Sequence, residues 1–377
     1  MVHYFDNAAT TPLKPEVLEA MMPALVTGFG NPSGSHKMAR AAMAQVDDAQ
    51  ELLAGILGVE PSEIVFTSGG TEADNLAING VSEFYKGRPA CSAIEHHAVL
   101  NPVEKLGGQI IGVNAEGFVN PESVNGLDDD ISILSVMAAN NETGVIQPVS
   151  EISEILKEQH PDVKFHVDAV QAHCWLDLKE ICSIADLVSI SAHKFGGPKG
   201  VGALIVKRGV KFAPQQLGGS QERGKRAGTH NVAGIIGLAE AAKLTEESKL
   251  FEIERVKKLR NRLSDGVLSK VENTTESGLL NGSRSNKLPN ISHLCFDGIE
   301  SEALLFLLEN DGIMASAAAS CSSGALEPSH VLAAMGYPRM LAGGSLRLSL
   351  GYQTTDEDVD VVLDVLPKSV AQIRKSS

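Results

Sequence analysis

Ser191-Ala192-His193-Lys194-Phe195-Gly196-Gly197-Pro198-Lys199-Gly200, entered from the run Asp186-Leu187-Val188-Ser189-Ile190, is the stretch on which the fold turns. The run is short, apolar and β-branched, the signature of a buried strand. It ends in small and polar residues, then a lysine, then glycine and proline. A lysine at the mouth of a buried strand is partly desolvated, which lowers its pKa and makes its amine a nucleophile toward a carbonyl. Alone, such a lysine reads as a solvated surface residue before a turn. A second strand upstream changes that reading. Val163-Lys164-Phe165-His166-Val167-Asp168 ends in a carboxylate and is followed by Ala169-Val170-Gln171.

A lysine and an aspartate at neighbouring strand ends are the two groups that a pyridoxal 5'-phosphate (PLP) site needs. The lysine carries the cofactor and the aspartate holds the pyridinium proton, so that the ring accepts electrons. Asp168-Ala169-Val170-Gln171 together with Ser191-Ala192-His193-Lys194 resembles the NifS/IscS type of cysteine desulfurase, a class-V aminotransferase-like PLP enzyme. The resemblance implies an α/β fold of the PLP-dependent fold type I. A mostly parallel sheet would form the large domain over 15–252. A smaller α+β domain over 253–377, with 1–14, would carry the catalytic cysteine loop.

The other motifs follow in order along the chain. Tyr4-Phe5-Asp6-Asn7-Ala8-Ala9-Thr10-Thr11-Pro12 resembles the family's opening segment at the site entrance. Residues 15–27 and 36–57 carry apolar side chains at helical spacing, and Gly58 is placed to cap the second helix. Glu63–Ser68 reads as a strand that turns at Gly69-Gly70 into the helix opened by Thr71-Glu72-Ala73-Asp74-Asn75. Glycines there let backbone N–H groups approach an anion at a positive helix end. The match to the family's phosphate cup places Gly70 and Thr71 on the PLP phosphate. In Glu95-His96-His97-Ala98-Val99 the resemblance selects His96, not His97, as the imidazole stacked on the ring. In Asn140-Asn141-Glu142-Thr143-Gly144 it gives Asn141 contacts to cofactor and substrate. It gives Gln171 the ring-oxygen side, Ser191 and His193 further phosphate contacts, and Thr229 a phosphate contact across a homodimer. An arginine in the strand-like Leu346-Arg347-Leu348-Ser349-Leu350 needs an anion if buried, and the resemblance gives Arg347 the substrate carboxylate.

Ile313 to Ser329 is poor in large apolar residues, so little would bury Cys321, against the usual fate of a lone cysteine. The match makes Cys321 the persulfide-forming residue. Two departures stand out: Ala317-Ala318-Ala319 where relatives tend to carry glycine, which stiffens the backbone, and Ala172-His173-Cys174-Trp175 after Gln171. Adjacent His173 and Cys174 without further ligands make a poor zinc site.

Composition bounds the rest. The 377 residues suffice for a large domain and a smaller one. A net charge of −15 argues against broad nucleic-acid or anionic-membrane binding. Five scattered cysteines without Cys-x-x-Cys point to a reducing cytoplasm. The start lacks the basic and apolar regions of a signal peptide, and no apolar run is long enough for a membrane span. The expected reaction is L-cysteine to L-alanine, with Lys194 and His96 in catalysis, sulfur held on Cys321 and an acceptor protein (an iron–sulfur scaffold or a thiolation enzyme) receiving it. Two other readings use the same residues. One is a different lyase on the same site, acting on selenocysteine or cystine without need of Cys321. The other is a non-catalytic partner that kept the fold.

Overall fold

The computed structural model describes residues 2–317 and 329–376. Cys321 and most of the Ala-rich run before it lie outside them. The chain opens with β1 (His3–Tyr4) and helices α1 (Pro15–Val26) and α2 (Lys37–Leu57). Pro15 sits at the first helical position of α1, where its missing N–H costs nothing. Gly58 ends α2 with φ 69°, the left-handed cap that glycine adopts most readily. Then strand and helix alternate: β2 (Ile64–Thr67), α3 (Gly70–Tyr85), β3 (Arg88–Ser92), α4 (His97–Lys105), β4 (Gln109–Ile111), β5 (Ile131–Ser135), α5 (Val149–Gln159), β6 (Lys164–Asp168), α6 (Leu178–Ile184), β7 (Leu187–Ser191) and β8 (Gly202–Val206).

These strands form a seven-stranded sheet in the order β2-β8-β7-β6-β5-β3-β4, and β8 alone runs against the rest. Helices cover both faces, which is why β5, β7 and β8 are buried at every position and read as continuous apolar runs rather than alternating ones. The chain order switches at β3, which has β4 on one side and β5, β6, β7 and β8 following on the other, and at such a switch point the strand ends open into a crevice.

The remainder is α7 (Val232–Lys270), β9 (Thr274–Glu276), β10 (Ile291–Phe296), α8 (Ser301–Asn310), β11 (Ile313–Met314), α9 (His330–Ala334), α10 (Arg339–Gly343), β12 (Ser345–Ser349) and α11 (Asp356–Ser376). Strands β12, β10 and β9 make a three-stranded antiparallel sheet, and β1 pairs in parallel with β11. The 39-residue α7 joins two cores. Its first half packs Ile235, Leu238 and Ala242 against Val17 and Leu53. Its second half packs Val256, Leu263 and Val267 with Leu346, Val362 and Phe5. Phe5 is wholly buried, and its loss would cost about 3–5 kcal/mol. That anchor fixes residues 6–11 at the crevice. No helix among the described residues is long and apolar enough to cross a membrane.

Candidate active site

The ends of β2, β3, β5, β6 and β7, with residues of β12 and the opening segment, enclose a cavity of about 560 Å³. Lys194 projects from the turn after β7. Its Nζ donates to the backbone oxygens of Ala8 at 2.7 Å and Ala9 at 2.8 Å. Burial pulls its pKa down to about 8, helped by Arg347 and opposed by Asp168 and Asp6. A useful fraction of the amine is therefore neutral near physiological pH and able to attack a carbonyl. Gln171 donates to the same Ala8 oxygen at 2.8 Å.

Asp168 closes β6, and its Oδ1 accepts from the Val170 N–H at 2.9 Å. Burial raises its pKa to about 6, opposed by that hydrogen bond and by Lys194. A cationic ring nitrogen set against it would hold it ionised. Asp74, on the face of α3 that also carries Gly70 and Thr71, lies against it. Burial first, and then Asp168, raise Asp74 well above the usual carboxylate range. One of two adjacent buried acids stays protonated and leaves the charge to the other. Beneath them His166 bridges Ser135 at 2.8 Å and Ser189 at 2.9 Å, tying β5, β6 and β7 together.

At the far end the chain turns at Gly69, with φ 152° and ψ −175°, a conformation essentially confined to glycine. A Cβ at Gly70 would stand 2.7 Å from Val170 Cγ2. Gly70, Thr71, Ser191 and His193 line this end, where α3 begins. The Ser191 hydroxyl is buried without a partner. A free hydroxyl, a glycine turn and a helix N-terminus make an anion cradle. Lys194 and Asp168 lie on the same cavity wall. This donor set fits PLP: phosphate at the cradle, aldehyde carbon at Lys194, ring nitrogen at Asp168.

His96 caps α4, and its Nδ1 accepts from the Ala98 N–H at 3.1 Å, which leaves the ring proton on Nε2. Desolvation at the cavity wall, then Lys194 and His97, lower its pKa to about 4. Arg347 lies on β12. Its Nη1 donates to the Asn141 backbone oxygen at 2.9 Å and its Nη2 pairs with Asp6 at 2.7 Å. Its Nε is buried and unpartnered, leaving an edge for a carboxylate. The Asn141 turn is rigid because Asn140 Oδ1 accepts from the Glu142 and Thr143 N–H groups.

The cavity thus brings together every site residue expected from the sequence except two. Thr229 is exposed on the loop before α7, and Cys321 lies outside the described residues. His173 and Cys174 brace the back of the Lys194 turn. The His173 ring packs edge-on against Phe195 at 4.6 Å, and the Cys174 thiol donates to the Lys194 carbonyl at 3.7 Å. No three His, Cys, Asp or Glu residues among those described are grouped to hold a metal. Sequence reasoning did not single out Asp74, Asp6 or the Ala8 and Ala9 carbonyls. Asp74 carried a signal, three residues after Thr71 on one helix face; the carbonyls carried none.

The family model for class-V aminotransferases matches residues 3–362. The chain is 46% identical to the cysteine desulfurase IscS of Dictyoglomus turgidum, over 99% of this chain and 96% of that protein. It superposes on a NifS-like protein with a TM-score of 0.90 and 36% identity, covering 99% of this chain and all of the other. It also resembles SspA, solved in complex with cysteine, with a TM-score of 0.78 and 31% identity over 92% of this chain and 98% of the other.

Proposed function

The chain belongs to the class-V aminotransferase family and, within it, to the cysteine desulfurases, and we propose that it converts L-cysteine to L-alanine by passing the sulfur to Cys321. The carrying observation is the meeting, in one cavity, of the Lys194 amine, the Asp168 carboxylate and the open edge of Arg347. PLP, when bound, supplies the electron sink that labilises bonds at the substrate's α and β carbons. Lys194 would hold its aldehyde carbon, Asp168 its ring nitrogen and Gln171 its ring-oxygen side. Gly70, Thr71, Ser191, His193 and Thr229 of a second copy would hold its phosphate. His96 would cover the ring and exclude water.

Arg347 and Asn141 orient the substrate carboxylate, and Lys194 Nζ takes and returns the α-proton. The Cys321 thiolate attacks the substrate sulfur. A sulfur–sulfur bond forms, the carbon–sulfur bond breaks, and the carbon is protonated. L-cysteine and the Cys321 thiol become L-alanine and a Cys321 persulfide. That sulfur passes to an acceptor protein of iron–sulfur cluster assembly or another thiolation pathway, in the cytoplasm.

A homodimer is part of the proposal. Leu18, Met22, Leu25 and Val26 of α1, with Phe29 and Leu217, expose apolar surface that a second copy would cover. The division into a large part over 15–252 and a smaller part over 253–377 with 1–14 is part of the proposal too, and the passage of α7 from one core to the other supports it. The test is to incubate the PLP-loaded protein with L-cysteine and a thiol reductant, beside Cys321→Ser. Equal alanine and sulfide from the wild type and almost none from the variant are expected. Turnover surviving in the variant, or pyruvate in place of alanine, would instead indicate a C–S lyase.

A further inference from the structure

Ser329 stands eight positions after Cys321 and is tied back into the wall of the cavity. It is 3% exposed. Its Oγ accepts from the N–H groups of Val331 at 3.1 Å and Leu332 at 3.2 Å, capping α9, and it donates its proton to a Glu142 carboxylate oxygen. A cap uses only the acceptor side of a serine. The donor side is spent on the buried Glu142 carboxyl group, a bond that capping does not call for. Glu142 is 5% exposed, follows Asn141 and does not itself line the cavity.

Its neighbour His330 repeats the pattern. The His330 Nε2 bonds the Glu95 backbone oxygen at 2.9 Å, and its ring packs 4.6 Å from that of His97. Val331, Leu332 and Met335 then bury against Ile94 and Met137. Each of these contacts falls on one of two segments, 94–97 and 137–142, and those segments carry His96 and Asn141. On the other side, Ser316 exchanges both backbone hydrogen bonds with Arg347, at 3.3 and 2.8 Å. Arg347 in turn holds the Asn141 carbonyl. On the two sides of the stretch that contains Cys321, Ser316 is therefore fixed to Arg347 and Ser329 to Glu142, the neighbour of Asn141.

We propose that Ser329 and Glu142 are positioning residues for the desulfurase reaction: their hydrogen bond, seconded by His330 on Glu95 and His97, locks the chain after Cys321 to the Asn141 turn and so sets how the thiol meets the substrate sulfur. The inference rests on the desulfurase reading above, but its contacts all lie within the described residues.

Its test uses full-length PLP-loaded Ser329→Ala, Ser329→Thr and Glu142→Ala beside wild type and Cys321→Ser. Three quantities are read: the change in cofactor absorbance on adding L-cysteine, the rate of alanine formation, and the rate of Cys321 alkylation by iodoacetamide, followed by mass spectrometry. In Ser329→Ala and Glu142→Ala the cysteine concentration that half-saturates the absorbance change is expected to stay within about twofold of wild type. Alanine formation falls about tenfold or more, a kcat loss without a KM loss. The alkylation rate moves away from wild type in both, and Ser329→Thr restores all three quantities. Wild-type alanine formation in both alanine variants would overturn the proposal. So would a loss confined to Ser329→Ala, which would leave only the helix cap, and so would a joint loss of cysteine binding and turnover, which would mean a collapsed pocket. Alanine formation by Cys321→Ser would refute the desulfurase reading itself, a distinct outcome.

Discussion

Glu276 and Asp168 are both buried carboxylates, 5% and 6% exposed, in surroundings that treat them differently. Around Glu276 each oxygen is answered. Lys287 reaches one at 3.1 Å and Arg284 the other at 2.6 Å. Lys287 also donates to the Ser277 carbonyl at 2.7 Å, and the nearby Arg260 donates to the carbonyls of Leu288 and Ile291. Burial alone would raise Glu276, but Lys287 and Arg284 more than reverse it, and its pKa lies below the usual carboxylate range. Around Asp168 the balance goes the other way. Its pKa is raised, and around the same cavity Asp74 Oδ1, Ser191 Oγ and Arg347 Nε have no hydrogen-bond partner. Buried polar groups are nearly always satisfied, and leaving one unmade costs about 1–3 kcal/mol. The Glu276 cluster spends its hydrogen-bonding capacity on the fold. The cavity holds its capacity back for molecules that arrive later.

The sharpest break between the two regions is expected from Lys194→Ala. Turnover should drop by about 10³-fold or more, the range of a lost proton-transfer group, while the melting temperature stays near wild type. Steady-state alanine formation and thermal unfolding together check this. Glu276→Ala should do the converse. Leaving Lys287 and Arg284 without their partner is expected to cost about 3–5 kcal/mol of stability, read from denaturant unfolding, with kcat per folded molecule unchanged. A large kcat loss there would dissolve the distinction.

Ser191→Ala is the subtler probe. Losing one hydrogen bond to a charged phosphate should weaken PLP binding about tenfold. The cofactor-free protein should be as stable as wild type or slightly more so, because a buried unpartnered hydroxyl has gone. The smallest effect is one of pH. Burial raises Glu95 from 4.5 to about 8, against its bonds with Ser92 and Met137. The folded chain therefore keeps a proton there that the unfolded chain releases. The stability from this group is full below about pH 4.5 and is lost as pH climbs through about 8. Glu95→Gln should remove that fall, so its stability relative to wild type rises across this window in denaturant titrations.

Much of the sheet was legible because its strands are buried on both faces. Leu187–Ser191 and Ile131–Ser135 announce themselves as apolar runs, and Ser191, which ends the first, stands at the cavity. Lys194 and Asp168 were readable for the same reason, each placed where such a run stops. Strand direction was not. Gly202–Val206 looks like its neighbours and yet runs antiparallel, since direction is set by how short the connection from Lys194 is. The grip on Lys194 comes from backbone carbonyls of Ala8 and Ala9, some 185 positions away, and a carbonyl leaves no mark in a side-chain pattern. Thr229 is exposed in the single chain, and the contact proposed for it is one that only a second copy would complete.

The most direct measurement is the mass of the Cys321-containing peptide after the PLP-loaded protein has met L-cysteine without reductant. One added sulfur atom on that peptide, appearing in step with alanine and absent from Lys194→Ala, is the expected result. Alanine formed while Cys321 stays unmodified, or sulfur added equally in Lys194→Ala, would contradict the account.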